Sequence, residues 1–131
     1  MVTDGSSNSF PLLVSTPQLA ALSSLFWPDL IEFNGCVALA LNTSREGLEK
    51  WWIDTGGSQA KIQASLNHVH LYDYVAYEEE PSRLATLEVV AARIAECWRL
   101  RLRALYPGRH VDVVVTSEPD DYGPTVSFFF R

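Results

Sequence analysis

With 131 residues, 47% of them hydrophobic and 20% charged, the chain has the size of one domain and enough apolar material for a core, which excludes disorder as its main state. Its formal charge is −6 at pH 7, with a sequence pI near 4.9, whereas a generic nucleic-acid binder is basic. No window approaches the ~18 uninterrupted apolar residues of a membrane span, and Cys36 and Cys97 form neither a disulfide framework nor a CxxC site.

These features predict one globular domain over 1–131, with 1–9 as a polar lead-in. They predict two reduced, buried cysteines, as free Cys behaves like a small hydrophobe. A reducing cytoplasm is the compartment that suits them. The first residues carry no positive n-region and only a short apolar stretch, so no classical export signal is expected.

Thr16-Pro17 reads as an N-cap followed by proline at the first helical position. Leu19, Leu22, Leu25 and Phe26 recur at helical spacing and Pro28 stops the run, which predicts a helix over 16–27. Asn34-Gly35 between two apolar runs is a hairpin turn, because both residues accept positive φ. It joins predicted strands 30–33 and 36–42. The second is apolar on both faces, as a central, covered strand would be.

Thr43-Ser44-Arg45-Glu46 fits a capping box for a helix that runs to about Asp54, where Thr55 and Gly56-Gly57 end it. Residues 60–76 alternate, with Ile62, Ala64 and Leu66 against Lys61, Gln63 and Ser65. After Asn67 the parity shifts to Val69 and Leu71. One strand with a bulge near Asn67, or two strands, would give this pattern.

Ser82 is the expected N-cap of the longest helix, at about 83–106. Leu84, Leu87, Ala91, Ile94, Trp98, Leu102 and Leu105 form its core stripe. His110–Ser117 and Thr125–Phe130 read as two strands joined by a turn-rich acidic loop. The elements sum to an α+β fold: a mainly antiparallel sheet of about five strands packed against three helices.

Three constellations stand out. His68 and His70, at i and i+2 on a strand, point to one face and can share a metal; His110, on another strand with Asp112, is the first candidate to complete the set. Trp51 and Trp52 point about 100° apart on a helix, so one of them is expected at the surface, where tryptophan is often an interaction hot spot. Phe128 and Phe130 raise the same expectation on the last strand. Arg93, Arg99, Arg101 and Arg103 form a basic helix face. Between 83 and 109 there are six arginines against two glutamates, a local +4, so the rest of the chain carries −10.

No nucleotide-, cofactor- or nucleophile-bearing motif occurs in the sequence. The leading expectation is therefore a non-enzymatic interaction module of bacterial type, binding a protein partner or itself as a homodimer, with no nucleic acid, membrane or cofactor. Its acidity would suit neutralising a basic partner, by analogy with toxin-neutralising immunity proteins. The competing expectation is a metal-binding module or metal-dependent enzyme built on the His68-x-His70 pair.

Overall fold

A computed structural model of the chain describes residues 13–77, 79–117 and 122–131. Its described elements are α1 (Thr16–Phe26), β1 (Leu30–Phe33), β2 (Cys36–Leu39), α2 (Arg45–Asp54), α3 (Gln59–Leu66), β3 (His68–His70), a short 3₁₀ helix (Leu71–Tyr74), α4 (Arg83–Leu105), β4 (Val111–Thr116) and β5 (Thr125–Phe130). The fold is α+β. Among the described residues the five strands are all antiparallel but make two small sheets, β1–β2 and β3–β5–β4, and there are four α-helices instead of three.

The β1–β2 hairpin turns at Asn34 (φ 49°) and Gly35 (φ 80°), the backbone that Asn-Gly is suited to adopt. β2 ends at Leu39, earlier than its apolar run: the chain turns there, with the Asn42 N–H donating to the Leu39 carbonyl and its side-chain Nδ2 donating to the Leu66 and His68 carbonyls. All four β2 residues are buried, yet the strand is not central in a sheet. It is the wall between two cores. Val37 and Leu39 face the main core, while Cys36 and Ala38 face a second one with Leu48, Ile62 and Leu66.

The segment 60–66 is helical, not extended. Gly56 and Gly57 both take positive φ and turn the chain out of α2. Ser58 then caps α3, its hydroxyl accepting from the Lys61 amide. Ile62 and Leu66 fit a helical i, i+4 pair as well as they fit strand alternation, and the cap decides between the two. Only His68–His70 is a strand.

Helix starts shift by one residue where a neighbouring serine caps better. Ser15, with Gln18 closing the capping box, caps α1 in place of Thr16. Ser44, not Thr43, caps α2 through the Gly47 amide. Ser82 stands at the start of α4, but its hydroxyl donates to Glu80 instead of capping an amide.

α4 buries Leu87, Ala91, Ile94, Ala95, Trp98 and Leu102 against β4 and β5. Leu84 and Leu105, at the ends of the expected stripe, are exposed. Trp98 is fully buried. It meets Phe128 edge to face at 5.8 Å and donates from Nε1 to the Leu25 carbonyl at 2.9 Å, which ties α1 to α4. Cys36 is buried as expected, but Cys97 is only half-buried, on the flank of α4.

Two buried side-chain amides, Gln63 on α3 and Asn67 at its C-terminal end, stitch the cores together. The Asn67 side chain accepts from the Leu39 amide and donates to the Val37 carbonyl, so it occupies the free edge of β2 as a strand would. Gln63 does the same for Phe130, accepting from its N–H at 2.6 Å and donating to its carbonyl at 3.3 Å. Buried backbone groups must be paired, and here side chains supply what strand pairing does not.

Candidate functional site

The three-stranded sheet has two faces. Val69, Val126, Phe128, Phe130, Val111 and Val113 face the core. The alternate residues face away, and His68 and His70 are among them, opposite Ser127 and Thr125. Their rings lie 4.8 Å apart, inclined at 67°, on the rim of a depression of about 280 Å³ lined also by Asn42, Ser65, Asp73 and Tyr74.

His70 Nδ1 faces the Thr125 hydroxyl. Thr125, nearly buried, donates its single hydroxyl proton to the Gly123 carbonyl at 3.0 Å. With that proton on the Gly123 carbonyl, the oxygen is free to accept from His70 Nδ1–H, 2.9 Å away, in the tautomer protonated there. That leaves the lone pair of His70 Nε2 uncommitted by this bond. Burial, and next the neighbouring His70, hold the His68 pKa below the usual imidazole range, against opposing effects of the Ala64 carbonyl and Asp73.

Tyr122 closes the other side. Its ring meets His70 at 5.5 Å and Tyr72 at 5.6 Å, both edge to face. Tyr72 is held from beneath by the Arg83 guanidinium, 4.6 Å from its centroid. Gly123 has φ 68°, and a Cβ there would run into the Tyr72 ring, so both backbone and space call for glycine.

His110 does not join this pair. Val111 pairs with Phe130 at one end of the sheet, whereas His70 pairs with Thr125 at the other. His110 instead contacts Asp112, which also accepts from Arg131. The Arg131 hydrogen bond, opposed by some desolvation and helped by His110, keeps the Asp112 carboxyl below the usual carboxylate range. Among the described residues no three His, Cys, Asp or Glu side chains gather around one position.

The expected aromatic surface is mostly consumed internally. Phe128 and Phe130 are buried beside Trp98 and Tyr106, and Phe129 is the one of the three that is exposed. Trp51 and Trp52 are both half-buried on the second core, Trp52 edge to face with Phe33. The basic helix face divides. Arg99 donates to the Val113 carbonyl and Arg101 to the Pro28 carbonyl, with the Arg101 guanidinium over Trp27 and 3.7 Å from Asp29. Arg93 and Arg103 are exposed. The acidic residues at 118, 120 and 121 lie outside the described residues.

A different surface, missed by sequence reasoning, is open. All residues from Leu13 to Ser23 are exposed, and Leu25 is the one buried residue of α1. Leu19 is 60% exposed and Leu22 41%. Val14, Gln18, Ala21, Leu22 and Tyr74 line a largely apolar groove of about 300 Å³. No ionisable side chain occurs between Asp4 and Asp29. That gap in charge was visible in the sequence and was the available signal.

The architecture places the molecule among α+β proteins of two small antiparallel sheets. The chain matches no family model, no curated protein and no solved structure, so its geometry carries the functional reading.

Proposed function

We propose that the protein is a non-enzymatic protein–protein interaction module that docks through α1, and that the occupant of this face is a second copy of the chain. One observation carries the reading: a helix with no charged side chain stands almost wholly uncovered. A helix apolar on several sides is normally buried, and contiguous exposed apolar surface marks an interaction site.

Charge selects the occupant. The chain carries −6, so two copies repel in general, but the stretch between Asp4 and Asp29 adds nothing to that repulsion. A two-fold contact needs a surface complementary to itself, and an uncharged helix packing antiparallel on its copy meets that need. The eleven residues of α1 extend roughly 16 Å. Such a face buries less than the ~800 Å² per partner of a standard interface, so the dimer is expected to be weak, in the micromolar range.

Sedimentation or light scattering across a concentration series tests this. The expected result is a monomer–dimer equilibrium that Leu19→Asp and Leu22→Asp each shift to monomer, with the far-UV spectrum unchanged. A chain that stays monomeric at ~1 mM, far above a micromolar constant, overturns the reading. So does a dimer indifferent to both substitutions, which would place the contact elsewhere.

A further inference from the structure

We propose that His68 and His70 form a binding site for one divalent transition-metal ion, with Thr125 as the residue that positions His70. The proposal does not rest on the α1 interface: Tyr74 borders both depressions, but neither histidine lines the α1 groove.

Four features of the pair support it. Both imidazoles project from the same face of β3, two residues apart, so the backbone itself sets their spacing. Their ring centres are 4.8 Å apart. Two imidazoles sharing an ion at ~2.0–2.1 Å from each nitrogen have ring centres about 5 Å apart. The rings are therefore already at the separation that a shared ion requires.

The third feature is orientation. Metal-binding histidines commonly give their other N–H to an oxygen acceptor, which fixes the tautomer and raises the basicity of the ligating nitrogen. Thr125 is placed to do this for His70: its oxygen lies 2.9 Å from Nδ1 and 3.0 Å from the Gly123 carbonyl, and a proton given to that carbonyl leaves the oxygen to accept from Nδ1–H and Nε2 to bind the ion. The fourth is backbone support: Asn42 donates to the His68 carbonyl and holds the start of β3 in place.

The donor set selects the ion. Two neutral imidazoles suit Zn²⁺, Ni²⁺ and Cu²⁺, with Cu²⁺ bound most tightly in the usual order. Ca²⁺ and Mg²⁺ require a shell of oxygens that this site does not offer. The protein contributes two ligands and water completes the coordination, so the site is open and the affinity is micromolar, unlike that of a closed four-ligand structural site. Asp73, on the same depression, adds negative charge beside the ion.

The test is calorimetric titration of the untagged full chain with Zn²⁺ and Ni²⁺ at neutral pH, in a buffer that does not chelate. The expected result is one ion per chain at micromolar affinity. His68→Ala and His70→Ala should each weaken binding by at least about tenfold, and Thr125→Val by about ten- to a hundredfold. His110→Ala should change nothing. Long-range ¹⁵N spectra of the ion-free wild type should show His70 protonated at Nδ1, and Zn²⁺ should shift its Nε2. Absence of saturable binding below millimolar ion overturns the proposal. So does affinity that follows His110, or a His70 ring protonated at Nε2 in the neutral form.

Discussion

α1 and α4 lie against each other, and both are rich in leucine and alanine. α4 buries six residues against β4 and β5 and carries the fully buried Trp98. α1 buries one leucine and is tied to α4 by the Trp98–Leu25 hydrogen bond and the Arg101–Pro28 contact that follows it. The contrast is not one of composition, since α1 is the more hydrophobic of the two. It lies in what stands opposite: α4 has a sheet across from it, while most of α1 is left exposed by the described residues. An apolar helix is stabilised by the surface that covers it, and the same leucine counts as core or as interface accordingly.

The sharpest break of that comparison is Trp98→Ala. It empties a fully buried aromatic site and removes the donor to Leu25, so a loss of roughly 3–5 kcal/mol is expected in denaturant unfolding. A loss below ~1 kcal/mol would mean that α4 is not the centre of the core.

Asn67→Ala comes next. It leaves the Leu39 N–H and the Val37 carbonyl without their partner inside the protein, at about 1–3 kcal/mol for each orphaned group, so a total of about 2–6 kcal/mol is expected. Replacement by aspartate should rescue little of this, as it cannot donate to Val37. Gly123→Ala should cost about 1–2 kcal/mol through the left-handed backbone and crowding of Tyr72, read by thermal unfolding.

At the covered–uncovered boundary, Leu22→Asp should alter monomer stability by less than ~0.5 kcal/mol while abolishing self-association, because its side chain is outside the core. The smallest effect is electrostatic. Asp112 has its pKa lowered in the folded state, so the stability its charge adds is present above the usual carboxylate value and fades as pH falls through the lowered one. Arg131→Ala should raise the Asp112 midpoint in a carboxyl ¹³C titration, and an unmoved midpoint would show that the hydrogen bond from Arg131 is not the cause.

How much of this was legible depended on range. Asn34-Gly35 announced its hairpin, because the required backbone is a property of two adjacent residues. α4 was legible from a stripe long enough for helical periodicity to be unmistakable. The 60–66 segment was misread because in seven residues Ile62 and Leu66 satisfy both periods, and the deciding cap, Ser58, lies just before them. Strand parity showed that His68 and His70 share a face. It could not place His110, since facing direction says nothing about position along a sheet. Nor could it reveal Thr125, which is 55 residues away in the chain and adjacent only through the β3–β5 register.

The sequence alone determined the α+β class, the main hairpin, the long helix and the pairing of two histidines on one strand face. Each follows from interactions within a few residues: turn conformation, capping and side-chain period. The tertiary structure decided the division into two sheets, the burial of Phe128 and Phe130, the conversion of Arg99 and Arg101 into backbone ties, and the exposure of α1. These depend on which distant surfaces exclude water from one another, and no local pattern encodes that.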